Sequence, residues 1–169
     1  VWTKLVKTSL IREHDLYFKK GIRNEDTDWI ARMLIYAERF EWYDKPFYMY
    51  RKGHETAQTS QKMKYYMVND LKHILIEYTE YAQQHMDEKY RRVFYSYLAY
   101  PYAVWMGQAY LIEQNEQITK DRKLMKKYDY ILSYDMNSAV HLVHLVYRIL
   151  GFELTSKILM LYIKKTYYS

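Results

Sequence analysis

Cysteine is missing from all 169 residues, so the chain has neither a disulfide framework nor a thiolate metal site. A cytoplasmic location is the expectation that follows. Proline occurs twice and glycine four times, a scarcity that agrees with mostly long helices. No apolar run is long enough to span a bilayer; the most apolar stretch, 139–150, holds His141, His144 and Arg148. No Ser-His-Asp arrangement, phosphate-cradling glycine loop, zinc motif, internal repeat or low-complexity run is legible. The chain starts at Val1 without an initiator Met, as a fragment of a longer protein would, and no signal peptide can be read.

Tyrosine, by contrast, occurs 22 times. Its apolar ring and polar tip suit wet interfaces, sugar faces and lipid headgroups, although an AT-rich genome inflates Tyr, Lys, Ile and Asn together. Lys and Arg outnumber Asp and Glu by 26 to 20, a net charge of +6 that favours anionic neighbours. The length suffices for one substantial core with a smaller attached layer.

The stretch from Gly21 to Trp29 organises the chain. Behind it Ile30, Met33, Leu34 and Ala37 fall at i, i+3, i+4 and i+7, one buried helix face. Asn24 sits where an N-cap belongs, and Glu25, Asp26 and Asp28 fill the first turn. Acids there complement the helix dipole. A carboxylate fixed on a helix start is also a candidate general base, provided it sits beside the hydroxyl it deprotonates.

The surrounding residues make a family resemblance. The order is Trp2-Thr3-Lys4-Leu5, then Phe18-Lys19-Lys20-Gly21, then Asn24-Glu25-Asp26, then Tyr48-Met49-Tyr50-Arg51 before a polar loop. It resembles the second half of a bacterial family 2 glycosyltransferase of the kind that builds capsule, exopolysaccharide or lipopolysaccharide, over roughly residues 1–60. The resemblance implies a GT-A type fold, a nucleotide-sugar donor, a saccharide or lipid-linked acceptor, and inversion at the anomeric carbon. It implies Asp26 as general base, with Glu25 and Trp29 at the acceptor. Arg51 and His54, in the loop after the Tyr-x-Tyr-Arg segment, would neutralise the departing diphosphate. The family's nucleotide-binding half is missing from this sequence. The divalent metal, Mg or Mn, would be held there, and the fragment alone would be inactive. Asp26-Thr27-Asp28 spells Asp-x-Asp, but it opens an amphipathic helix, whereas the metal-binding version follows an apolar strand. No metal ligand is assigned in this chain.

The expected fold class is mainly α: a remnant of the C-terminal part of a GT-A α/β domain over 1–59, then a helical, bundle-like extension over 60–169. In the first part, Ser9 would cap a brief helix over residues 10–14, and Asn24 would open one to about Arg39. Two short aromatic strands are expected at 40–43 and 47–50. In the second, Ser60 would cap a long helix with Met63, Met67, Leu71, Ile74, Leu75, Tyr78 and Ala82 on one face. Asp87-Glu88 opens the next, carrying Phe94, Leu98, Trp105, Ala109 and Ile112, which Pro101 should kink or split. Thr119 would cap a third, running to about Tyr134. Asn137 or Ser138 starts a fourth, with Val140, Val143, Leu145, Val146 and Ile149, that stops at Gly151. Thr155 would cap a last one through Ile158, Leu159 and Tyr162.

His141 and His144 share a helix face, but no carboxylate or third His is read beside them, and an interior or interface pair is expected rather than a metal site. Residues 122–128 and 161–168 mix basic and apolar side chains, a pattern that suits peripheral attachment to the inner face of an anionic membrane. A non-enzymatic reading also stands: a basic helical module for a protein partner, a membrane surface or nucleic acid. Nucleic acid is not expected if the enzyme reading holds.

Overall fold

A computed structural model of the chain describes residues 3–49 and 62–167. The chain divides into two compact units, Val1–Gln61 and Lys62–Ser169. Among the described residues the regular structure is entirely helical.

The first unit holds α1 (Thr8–Glu13) and α2 (Glu25–Tyr36). Leu16, Trp29 and Met33 form its centre, with Leu10 and Ile11 from α1 and Ile30 and Leu34 from α2 packed around them. The i, i+3, i+4, i+7 series therefore faces a core, but α2 stops three residues short of Arg39, where Ala37 turns extended. Helix α1 begins at Thr8 with Lys7 in the cap position, not Ser9.

The two aromatic strands are a correction. Residues 40–49 form neither strand nor helix, and Phe40, Trp42 and Met49 stay exposed. Aromatic residues favour strands because they pack on a pleated, half-buried surface. Here the described residues offer no sheet to join, and an isolated two-stranded hairpin is marginal. What order the segment has is local: the rings of Tyr43 and Phe47 meet edge-on at 5.8 Å across Asp44-Lys45-Pro46.

The second unit is built on α4 (Glu88–Gln108), flanked by α3 (Tyr65–His85), a 3₁₀ helix (Lys126–Ser133) and α6 (Ser138–Tyr167), with α5 (Glu116–Met125) packed on the 3₁₀ helix. Helix α4 buries Phe94, Tyr95, Leu98, Tyr102, Trp105 and Met106, the profile of a helix covered on most sides. It runs through Pro101 without being split. Helix α3 buries the expected face from Met67 to Ala82 but starts at Tyr65, leaving Met63 ahead of it; the expected cap Ser60 lies outside the described residues. Asn115, not Thr119, caps α5, its Oδ1 accepting from the Ile118 amide at 3.0 Å, and the expected single helix to Tyr134 tightens into the 3₁₀ segment at Lys126. Asn137 caps α6 by accepting from the amides of Ala139 and Val140. Gly151 (φ 70°, ψ −177°) breaks α6 into two arms, 138–150 and 152–167. Thr155 is buried within the second arm rather than capping it.

Helices α4 and α6 approach closely at Gly107. A Cβ there would lie 2.7 Å from Ile163 Cδ1 and 3.0 Å from the Leu159 carbonyl carbon. Buried polar groups tie the unit further. Trp105 donates its indole N–H to the Val68 carbonyl at 3.0 Å and Tyr102 its hydroxyl to the Met125 carbonyl at 2.7 Å. Lys72 and Asp121 form a buried ion pair at 2.8 Å, and Tyr65 and Gln117 donate to the same carboxylate.

Candidate active site

The candidate site is the start of α2, and an ion-pair cluster holds it in place. Asp28 is fully buried (0% exposed). Lys19 Nζ lies 2.7 Å from its Oδ1, and Arg32 approaches Oδ2 through Nη2 at 2.9 Å and Nε at 3.0 Å. The Arg32 guanidinium also donates to the carbonyls of Asp15 at 3.4 Å and Tyr17 at 2.6 Å. One side chain thus fastens the 15–19 segment to the first turns of α2. Charge-assisted bonds of this kind are the stronger class of hydrogen bond, and a buried carboxylate requires them.

Asn24 holds the cap position in an unexpected way. Its backbone is left-handed (φ 63°, ψ 34°) and its side chain makes no cap hydrogen bond. Its carbonyl instead accepts from the amides of Thr27 at 3.0 Å and Asp28 at 3.3 Å. Asn is among the few non-glycine residues that enter this region readily, so the residue type serves the turn more than the cap.

Glu25 and Asp26 are half-buried at this fixed start, and Asp26 Oδ1 accepts from the Thr27 amide at 2.9 Å. The three acids of the turn therefore divide: Asp28 is neutralised inside, whereas Glu25 and Asp26 remain partly open to solvent. Trp29 is 4% exposed, stacks on Phe18 with ring centroids 5.6 Å apart, and donates its indole N–H to the Leu16 carbonyl at 2.7 Å. Most of its surface serves packing. Arg51 and His54 lie outside the described residues.

The described residues do not fit a metal. No group of three His, Cys, Asp or Glu among them is arranged to hold one, and the second Asp of Asp26-Thr27-Asp28 is already occupied by two cations. The cluster of Lys19, Asp28 and Arg32 went unread in the sequence. Its one legible trace is the i, i+4 spacing of Asp28 and Arg32.

A second titratable cluster lies in the other unit. Nδ1 of His141 and Nδ1 of His144 lie 2.9 and 2.8 Å from the same oxygen, Oδ2 of Asp135. This carboxylate is not legible beside the pair in the sequence, because Asp135 lies ahead of α6, six and nine residues before the two histidines. The hydrogen bond from His144, followed by that from His141, holds the Asp135 carboxyl below the usual range. Arg122, in the basic stretch 122–128, lies over the Tyr110 ring at 4.5 Å.

No family model, curated protein or solved structure matches the chain. Among the described residues no helix is long and apolar enough to cross a membrane.

Proposed function

We propose that this chain is the acceptor-side, C-terminal portion of an inverting, family 2-like glycosyltransferase of cell-surface polysaccharide synthesis, with Asp26 as its general base. The observation that carries the reading is the division of carboxylates at the start of α2. Asp28 and Arg32 anchor the turn, and Asp26 and Glu25 stand half-open on it, in the segment whose residue order resembles that family.

In this reading the acceptor hydroxyl lies against Asp26. The carboxylate takes its proton as the oxygen attacks the anomeric carbon of the donor sugar. The new C–O bond forms on the face opposite the breaking bond to the diphosphate, which leaves with the bonding electrons, so configuration inverts. One oxygen of Asp26 is engaged by the Thr27 amide, so the other receives the proton. A base mounted on a helix start whose orientation is already fixed loses little freedom on reaching the reactive geometry. Glu25, beside it, shapes the acceptor site. Trp29 contributes through packing beneath that site. The donor and its Mg or Mn ion belong to the nucleotide-binding half, and the metal would offset charge on the diphosphate.

The test is transfer by the intact parent enzyme from a panel of nucleotide sugars, wild type beside Asp26→Asn. Transfer should fall by about 10²–10⁴ with donor binding kept, the range a positioned base supplies. Undiminished transfer by the variant would return Asp26 to a helix-end role.

A further inference from the structure

Helix α6 is apolar on more sides than its own unit covers. Its inner side is occupied: Val140 and Phe152 are buried, and Leu159 lies against Gly107 of α4. Yet in the first arm Leu142, Leu145 and Ile149, at i, i+3 and i+7, are exposed, Ile149 by 82%. In the second arm Leu154, Ile158, Leu161 and Tyr162, at i, i+4, i+7 and i+8, are exposed as well, Leu161 by 60%. Of the apolar residues that mark these two arms in the sequence, Val140 takes the core, whereas Leu145, Ile149, Ile158 and Tyr162 face outward.

The charges on α6 are mostly of one sign. It carries Arg148, Lys157, Lys164 and Lys165 against a single acid, Glu153, which accepts a hydrogen bond from the Tyr110 hydroxyl. On a helical projection of the first arm, His141 and Arg148 border one edge of the apolar stripe. In the second arm, Lys157 and Lys164 border one edge and Lys165 lies within it. We propose that this face of α6 lies in the headgroup layer of an anionic membrane, the apolar stripe inserted and the basic side chains among the lipid phosphates.

Three features select this occupant. A helix lying in an interface needs an apolar stripe with cations beside it, and each arm of α6, on its side of the break at Gly151, carries one. Lysine stems and the Tyr162 ring have apolar bodies with polar tips, which suits the boundary between acyl chains and headgroups. A second copy docking antiparallel through the same face, about a two-fold axis that crosses the helix, would set the basic edges side by side. Spanning is not an option for any described helix, so the proposed mode is attachment along the surface. The inference rests on α6 alone and is independent of the glycosyltransferase reading.

The experiment is flotation of the full chain with vesicles of phosphatidylcholine containing phosphatidylglycerol, beside vesicles of phosphatidylcholine alone. The chain should float with the anionic vesicles and far less with the neutral ones. Ile149→Glu with Leu161→Glu should abolish flotation. Arg148→Gln, Lys157→Gln and Lys164→Gln together should weaken it roughly 100-fold, from the usual contribution of each basic residue near such a surface. All these side chains are exposed, so the variants should keep the wild-type circular dichroism and melting temperature. Should the glutamates disturb folding, the glutamine set still tests the charge requirement. Absence of flotation with anionic vesicles, or equal flotation with both kinds, would overturn the proposal. So would a wild-type dimer in sedimentation that Ile149→Glu converts to monomer, since the face would then be an interface between copies.

Discussion

Substituting Asp28 by Asn would leave Lys19 and Arg32 facing a neutral amide inside the first unit. Removing one partner of a buried ion pair costs about 3–5 kcal/mol; Lys19 is 41% exposed and can turn to water, so the lower end applies here. Urea unfolding of the two Asp→Asn variants should separate the neighbouring acids. Asp28→Asn should lose about 3 kcal/mol, whereas Asp26→Asn should stay within about 0.5 kcal/mol of wild type, as half-open positions do. On the proposed function, the same pair should reverse its order in a transfer assay of the intact parent protein, with Asp26 the sensitive position. Asp135 supplies a pH-dependent counterpart. Its carboxyl is held low by His144 and His141, so its contribution is complete above the unfolded-state value near 3.8 and is lost as pH falls through the lower folded value. The stability gap between wild type and Asp135→Asn should therefore narrow as pH falls below 3.8.

Helix by helix, the sequence spoke most clearly where apolar spacing is long and regular. The faces of α3 and α4 were legible as Met67, Leu71, Ile74, Leu75, Tyr78, Phe94, Leu98 and Trp105, all of which are buried. Periodicity said little on α6, since a helix apolar nearly all round has no single face to read, and of Val140, Val143, Leu145, Val146 and Ile149 only Val140 is buried. It failed over 40–49, where aromatic content implied strands that had no sheet to complete. Helix ends were read least well, because a cap is decided by backbone geometry that residue identity only suggests: Asn24 takes a left-handed backbone and Asn115 displaced Thr119. At the candidate site Glu25 and Asp26 were legible as a pair on a helix start. The anchoring of Asp28 by Lys19 was not, since that contact joins residues across a turn. The α4–α6 crossing makes its own prediction. Gly107→Ala should destabilise the second unit by about 1–3 kcal/mol, the usual cost of overpacking. Adding Ile163→Val removes the Cδ1 atom 2.7 Å away but not the Leu159 backbone, so thermal melts should show partial recovery only.

At the scale of the whole molecule, the tyrosines act as ties between helices. Burial, then the hydrogen bond from Tyr110 to Glu153 and that from Tyr128 to Glu80, push those two phenols up to about 12. Tyr95, Tyr102 and Tyr147 are raised further, burial again the leading cause, with Asp129 adding to the last two. A raised folded-state value means the stabilisation is complete below the unfolded phenol value of 10.0 and lost as pH climbs through about 12. The second unit, which holds these five tyrosines, should therefore unfold in alkali. Phenolate absorbance should stop short of all 22 tyrosines until that transition and then rise together with loss of helix. The two indole N–H bonds described above have a different use. Trp29 donates to Leu16 within the first unit and Trp105 to Val68 within the second, so each unit carries its own buried chromophore. Versions that keep Trp29 alone or Trp105 alone, every other tryptophan replaced by phenylalanine, would give by fluorescence a separate melting curve for each unit.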